Sequence, residues 1–117
     1  MVYYYTRPRP NEDMTVHAEI SIVPISGGHD TSMSREVAAA FDAICRIRNV
    51  KATLTALGTQ IEAKDLERVF QAVEAAHLAA KSAGAKRVIS TVRIDERLDK
   101  SQTLQEKIRS VKRKLNK

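Results

Sequence analysis

The sequence predicts one α+β domain with four β-strands and three helices in the order β, α, β, β, α, β, α. Three stretches alternate apolar and other side chains from one position to the next, as strands covered on one face do. Two longer stretches between them repeat apolar residues at helical spacing. A chain of 117 residues is long enough for one domain and too short for two ordinary ones, so a single core has to serve it.

The first predicted elements are a strand and a helix. Residues 16–22 alternate strictly, and Pro24 is expected to end this strand because proline cannot donate to a strand ladder. A glycine-containing loop then leads to Ser32 and Ser34, either of which can cap the helix that follows. Apolar residues at helical spacing extend that helix over about residues 33–48.

A hairpin and the longest helix follow. Alternation from Val50 to Ala56 predicts a second strand, and Gly58 permits a tight turn into a short third strand over residues 59–62. The second helix is predicted from one apolar stripe, formed by Leu66, Val69, Phe70, Val73, His77 and Ala80. Gly84 stands where a C-terminal cap of this helix is expected.

The last part of the chain predicts a fourth strand and a final helix. Residues 88–94 alternate and lead into a charged run. Ser101 can cap the last helix, whose narrow apolar stripe runs from Leu104 to Leu115. Cations gather toward the end of this helix, where they stabilise its dipole.

This order of elements predicts the ferredoxin-like split-βαβ fold, βαββαβ plus a C-terminal helix. Such a fold has an antiparallel four-stranded sheet with helices on one face. Its other face is expected to carry short hydroxyl side chains, interrupted by the charged Glu19, Lys51 and Arg93. The hydroxyl residues are Ser21, Thr53, Thr55 and Thr91. That surface suits partial burial against another subunit or a ligand, so we expect self-association through the sheet face into a dimer or tetramer. The alternative is a solvated sheet, because threonine is common on exposed strands.

The first thirteen residues differ in composition from the rest. Tyr3, Tyr4 and Tyr5 precede two prolines, which disfavour a helix. We interpret residues 1–13 as an N-terminal arm or extension and residues 14–117 as the domain. The arm is either flexible or an extra strand on a neighbour.

Composition restricts the class of protein. Hydrophobic residues make up 43% and charged residues 29%, which is typical of a folded globular chain. No apolar stretch reaches the roughly 20 residues that a bilayer-spanning helix requires, and we expect a cytoplasmic protein. The one cysteine, Cys45, agrees with a reducing compartment and is interpreted as a core residue. The net charge of +6 raises the question of nucleic acid, but much of the excess lies at the chain end without interleaved aromatics.

Several segments together resemble the thiamine-binding, YkoF-like family of ferredoxin-like domains. The resemblance covers about Met14 to the C-terminus. It rests on the strand ending at Pro24, the helix start at 31–34, the hairpin at 57–62, Ala75-Ala76-His77, Arg87-Val88, and the charged segments 93–97 and 99–100. The segment from Ser26 to Asp30 is slightly longer than the usual turn of that family.

This resemblance implies what the protein binds and how it assembles. It implies binding of thiamine or its hydroxymethylpyrimidine moiety, with a phosphate ester as a further possibility, without catalysis. It also implies a dimer or tetramer built through the sheets, with the ligand near the subunit interface. No cofactor is expected.

Two groups of residues are candidate ligand contacts. The first, at a helix start where backbone N–H groups favour a phosphate or carboxylate, consists of Thr31, Ser32 and Ser34. The second, which places hydroxyls and a carboxylate around a hairpin, consists of Thr55, Gly58, Thr59 and Glu62. The alternatives are an ordinary helix cap and ordinary turn chemistry, in which Gly58 supplies a positive φ.

The histidines and the charged run have structural interpretations. His77 lies on an apolar stripe and is predicted to be a hydrogen-bonded, partly buried residue. Neither His17 nor His29 has a Cys or His neighbour at metal spacing, so no structural metal is predicted. Charges of alternating sign over residues 93–100 either join subunits or form a solvated edge.

Three functions of different classes are compatible with these residues. The leading hypothesis is a non-catalytic thiamine- or pyrimidine-binding protein. The second is a nucleic-acid-binding module that uses the basic final helix, although the only aromatics outside the arm, Phe41 and Phe70, lie on apolar helical stripes. The third is an enzyme that acts on the same small molecule, but no nucleophile, base and orienting acid can be assembled from the sequence.

Overall fold

A computed structural model describes residues 15–26 and 31–115 of the chain. The predicted N-terminal arm and the loop over residues 27–30 lie outside the described residues. The elements, in chain order, are β1 (Val16–Ile25), α1 (Ser34–Cys45), β2 (Val50–Leu54), β3 (Thr59–Ala63), α2 (Leu66–Ser82), β4 (Arg87–Glu96) and α3 (Leu104–Leu115).

The strands form one sheet in the order β2-β3-β1-β4, and every neighbouring pair is antiparallel. The helices α1 and α2 pack against each other and against one face of this sheet. The order and the two packed helices confirm the predicted ferredoxin-like fold. The core lies between this face and the two helices, and its largest fully buried side chains are Ile20, Ile44, Ile61, Val16, Val50 and Val69.

The buried face of α2 differs from the predicted stripe. Val69, Ala72, Ala76 and Ala80 are fully buried, whereas Phe70 is 59% exposed. The prediction that Phe70 belongs to the packed stripe is therefore wrong. Three of the four buried positions are alanines, which let α2 approach the sheet closely, and the aromatic side chain is displaced to the flank of the helix.

The structure confirms the predicted C-terminal cap of α2 and contradicts the predicted serine cap of α1. Gly84 has φ 114°, and the N–H groups of Gly84 and Ala85 donate to the carbonyls of Lys81 and Ala80, which confirms the predicted C-terminal cap of α2 as a Schellman motif. At the start of α1 the N-cap residue is Met33, which has no capping side chain, so neither serine occupies the cap.

The cap of α3 is Thr103 instead of the predicted Ser101. Thr103 Oγ1 accepts from the N–H of Glu106 at 3.0 Å, and Glu106 Oε1 accepts from the N–H of Thr103 at 2.7 Å. This reciprocal pair is a capping box. Its signature, a threonine followed three residues later by a glutamate, is present in the sequence.

Pro24 does not end β1, which continues to Ile25. The strand pairs with β3 only over Val16–Ile20, but with β4 over its whole length. Beyond Ile20 one side of β1 is therefore an edge, where a missing N–H interrupts no ladder.

Gly58 is required for a reason other than the predicted one. Gly58 is not one of the described residues that have a positive φ. A Cβ atom at this position would lie 3.0 Å from the carbonyl oxygen of Ile20, so a larger residue would force the hairpin and β1 apart by a few tenths of an ångström.

Candidate functional site

The third helix lies over the sheet face opposite α1 and α2. Its first turn contacts β3, where the carboxylate of Glu62 accepts a hydrogen bond from the N–H of Leu104. At the end of this turn the helix contacts β4, where Lys107 Nζ donates to Asp95 Oδ2 at 2.6 Å. The sheet face that was expected to be open is therefore partly covered by the chain itself.

A cavity of about 500 Å³ lies between α3 and this face of the sheet. Its wall combines charged and polar groups with a few apolar side chains from the helix. The lining residues are His17, Ala18, Glu19, Gln60, Arg93, Ile94, Asp95, Leu104, Lys107 and Ile108.

Strand register brings the polar groups of the sheet together. In one row across β3, β1 and β4, Glu62 is opposite His17 and His17 is opposite Asp95. In the next row on the same face, Gln60 is opposite Glu19 and Glu19 is opposite Arg93. Directly opposite residues of an antiparallel pair lie within about 5.5 Å at Cβ, so these two rows form one contiguous polar surface.

His17 is the most deeply buried polar group of the cavity wall. Only 4% of the residue is exposed, and its Nε2 is a buried atom without a hydrogen-bond partner among the described residues. The ring has a hydrogen bond with the backbone of Gln102, which must therefore involve Nδ1. Burial, assisted by the charge of Lys107, holds the pKa of His17 below its usual value, while Glu62 and Asp95 act in the opposite direction.

A neutral His17 with Nδ1 as the donor presents Nε2 as an acceptor. A buried acceptor without a partner is costly in a folded protein unless something else satisfies it. Because His17 lines the cavity, a bound molecule with an N–H or O–H group is a suitable partner.

The carboxylate of Glu19 is a second group that can accept a hydrogen bond from a ligand. Gln60 Nε2 donates to Glu19 Oε2 at 3.2 Å, and Arg93 Nη2 lies 3.7 Å from Glu19 Oε1. The Arg93 side chain is 83% exposed, so the ion pair itself contributes little to stability. A carboxylate has about four lone-pair sites, so Glu19 retains the capacity to accept from a ligand.

The contacts that hold α3 also set the electrostatics of the cavity. The bond from Lys107 keeps the pKa of Asp95 below its usual value. Glu62 is buried, with 5% of the residue exposed. Its carboxylate lies at the N-terminus of α3, where the helix dipole favours an anion. These two carboxylates fix the helix over the cavity.

The residues predicted from sequence fall into two separate regions. Glu62 lies beneath α3, next to the cavity. Ser34 and Thr55 share a groove of about 520 Å³ along α1. Thr55, Gly58 and Thr59 line a smaller cleft of about 230 Å³ whose other walls are largely apolar.

The hydroxyls of Thr55, Ser32 and Ser34 have hydrogen-bond partners within the protein. Thr55 Oγ1 donates to the carbonyl of Gly58 at 2.7 Å. Ser32 Oγ donates to Ser34 Oγ at 3.3 Å, Thr59 is buried, and Thr31 is exposed ahead of α1. The structure thus brings part of the helix start and the hairpin together but leaves Glu62 apart from them.

Most of the residues that line the cavity were not predicted from the sequence as ligand contacts. The alternation of β1 placed His17 and Glu19 on the face away from the core, which the structure confirms. Nothing in the local pattern placed α3 over them. The missed residues are His17, Glu19, Gln60, Arg93, Asp95 and Lys107.

The remaining predicted features are ordinary structural contacts. His77 is half-buried, and its Nδ1 lies 2.7 Å from Ser90 Oγ, as predicted. Arg97 pairs with Asp99 at 2.6 Å within the charged run. In the part of the chain that the structure describes, no group of three potential ligands could hold a metal ion, and no helix is long and apolar enough to cross a membrane.

The fold and the cavity define a class: a small ferredoxin-like domain with a ligand-sized site between its sheet and an added helix. Residues 18–112 match the sequence profile of the family described as thiamine-binding protein. Because this match spans most of the chain, the protein belongs to the thiamine-binding protein family, as the sequence resemblance predicted.

Individual relatives support the family and the fold. A UPF0045 protein of Methanothermobacter thermautotrophicus is 41% identical over 86% of this chain and 99% of its own. The crystal structure of the protein MJ1052 of Methanocaldococcus jannaschii, 33% identical, aligns with a TM-score of 0.74 over 83% of this chain and 95% of its own. A Thermotoga maritima protein proposed for thiamine biosynthesis or salvage shares the fold with a TM-score of 0.65 over 82% of this chain and 97% of its own, at 20% identity.

Proposed function

We propose that this protein binds thiamine, or its hydroxymethylpyrimidine moiety, in the cavity beneath α3 and performs no chemistry on it. The observation that carries the proposal is His17, a residue of the cavity wall whose buried Nε2 has no hydrogen-bond partner among the described residues. Membership of the thiamine-binding protein family supports the ligand class.

The chemistry of the cavity wall suits an aminopyrimidine. Such a ring offers an exocyclic amino group as a donor and ring nitrogens as acceptors, with apolar faces above and below. His17 Nε2 and Glu19 can accept from the amino group, and Gln60 can donate to a ring nitrogen. Leu104 and Ile108 supply apolar surface from the helix side. A volume of about 500 Å³ lies within the range of small-molecule sites, about 300–1,000 Å³.

The groups predicted at the start of α1 and at the hairpin are a second candidate location for the same ligand. A phosphate ester would favour the hydroxyls of Ser32 and Ser34 near the N-terminus of α1. The internal hydrogen bonds of these residues make this location the weaker of the two. Variants of each region distinguish the two locations.

Calorimetric titration with thiamine and with hydroxymethylpyrimidine tests the proposal. Glu19→Gln keeps the shape of the side chain and removes its charge, so we expect about tenfold weaker binding, equivalent to about 1.4 kcal/mol. Glu74→Gln, at an exposed position of α2, is the matched control and should bind as the original protein does. Chromatography of the titrated ligand should recover it unchanged.

Two outcomes would contradict the proposal. If millimolar ligand produces neither heat on titration nor a shift of the thermal unfolding midpoint, the protein does not bind thiamine or hydroxymethylpyrimidine. Weaker binding in Ser32→Ala and Ser34→Ala, with Glu19→Gln unaffected, moves the ligand from the cavity to the start of α1.

A further inference from the structure

His17 stands in a row of charged residues that crosses the sheet beneath α3. Strand register places Glu62 of β3 on one side of it and Asp95 of β4 on the other. Lys51 of β2 is opposite Glu62 at the far end of this row. From α3, Lys107 reaches the row through its bond to Asp95. The imidazole therefore lies between two carboxylates and close to one ammonium group.

The next row on the same face adds one anion and one cation. Glu19 lies two residues along β1 from His17, so both side chains point to the same face of the sheet. Arg93 of β4 is opposite Glu19, and the neutral Gln60 of β3 completes this row. The backbone of Gln102, in the segment before α3, holds the other ring nitrogen of His17. The strands, α3 and this segment together supply the charged and polar neighbours of the ring.

The two protonation states of His17 present opposite groups to the cavity. In the neutral ring Nδ1 donates to the backbone of Gln102, so Nε2 is an acceptor. The protonated ring carries a hydrogen on both nitrogens, so Nε2 becomes a donor. Glu62 and Asp95 can accept from it, because a carboxylate has about four lone-pair sites. The neutral ring thus suits the amino group of a ligand, whereas the protonated ring suits the carboxylates of the protein itself.

We propose that protonation of His17 releases the ligand, so that the occupancy of the cavity depends on pH. This inference rests on the proposed function, because it names the group through which that site is regulated. An amino N–H that faces an Nε2–H gives two donors without an acceptor between them, which is unfavourable in a buried position. Binding to the protonated protein therefore requires that one proton leaves Nε2 for the solvent buffer.

The surroundings of His17 set the direction of this dependence. Burial, together with the charge of Lys107, holds the pKa of His17 below its usual value in the ligand-free protein, while Glu62 and Asp95 limit the decrease. A bound donor stabilises the neutral ring further and, by linkage, lowers this pKa again. We therefore expect full affinity above about pH 6.5 and release as the pH falls below the pKa of His17 in the ligand-free protein.

Calorimetric titration with thiamine over a series of pH values tests the inference. Below the pKa of His17 the affinity should fall about tenfold for each pH unit, because one proton competes with the ligand. In His17→Gln the amide oxygen can accept from the same amino group but does not titrate, so binding should be weaker and the dependence should disappear. Titration of the ligand itself affects both proteins equally and cancels in this comparison.

Two further variants separate His17 from other titrating groups. Glu19→Gln should bind more weakly at every pH but keep the dependence, since the imidazole is still present. His77→Gln should also keep it, because His77 contacts Ser90 outside the residues that line the cavity. Circular dichroism at each pH shows whether the protein is folded, which distinguishes release of the ligand from acid unfolding.

Repeating the titration in buffers with different enthalpies of ionisation measures the proton directly. Binding should release about half a proton at the pKa of His17, about one proton well below it and none well above it. Nuclear magnetic resonance of the His17 ring should show a lower pKa in the saturated protein than in the free protein. A histidine with a purely structural role would change neither reading.

The outcomes distinguish this inference from the proposed function. Absence of binding at pH 7.5 contradicts the proposed function and the inference with it. Binding at pH 7.5 that is equally tight at pH 5.5 in the folded protein leaves the proposed function intact and overturns the inference. Release of no proton, or a dependence that survives in His17→Gln, would overturn it as well.

Discussion

His17 illustrates how one residue can be both a structural liability and a binding group. Its ring is buried, its Nε2 has no hydrogen-bond partner in the described part of the chain, and burial lowers its pKa from the ordinary 6.5. Between the lowered pKa and 6.5 the unfolded chain binds more protons than the folded one. The free energy of unfolding should therefore rise with pH in this interval. The contribution of His17 to the free energy of unfolding is complete above about pH 6.5 and is lost as the pH falls toward the pKa of His17 in the folded protein.

Urea unfolding between about pH 5 and 7.5 measures this dependence. His17→Gln removes the titrating ring, so the part of the slope that His17 contributes should disappear. His77→Gln leaves His17 in place and should retain that part. Stability that falls with increasing pH in this interval, or a slope that survives in His17→Gln, would contradict the assignment of His17 as a buried neutral histidine.

The element that depends least on the core is α3. None of its residues is buried, and its apolar Val111 and Leu115 are more than half exposed. Its attachment rests on the capping box, on the bond to Glu62 and on the ion pair between Lys107 and Asp95. Such an element is expected to open locally while the remainder stays folded.

Removal of the α3 cap tests this independence. Thr103→Ala loses a capping side chain, which costs about 1 kcal/mol of helix stability. Amide hydrogen exchange in α3 should accelerate about fivefold, while exchange in α1 and α2 and the global unfolding midpoint change little. Ser101→Ala, which removes a hydroxyl that does not cap the helix, is the control. Equal acceleration in all three helices would show that α3 unfolds only together with the core.

Local sequence patterns predict the helices and strands themselves, but not how neighbouring elements pack against them. Alternation and helical spacing identified six of the seven elements, because these periods report directly on which side of a backbone faces the core. The remaining element, β3, was inferred from the turn at Gly58. These patterns did not identify the exposed position of Phe70, since helix orientation depends on how closely alanines let α2 approach the sheet. Pro24 was misjudged for a similar reason: its tolerance depends on β3 ending its pairing at Ile20, which is a property of the neighbouring strand.

At the scale of the whole molecule, the cavity arises from contacts between residues distant in sequence. Glu62 and Leu104, like Asp95 and Lys107, are brought together only after the sheet has formed. The sequence placed Glu62 among the ligand contacts through its hairpin position, but its role beside the cavity depends on where α3 docks. A surface that alternation described as open thus becomes partly enclosed, and buried polar groups such as His17 appear where strand pattern alone predicts exposure.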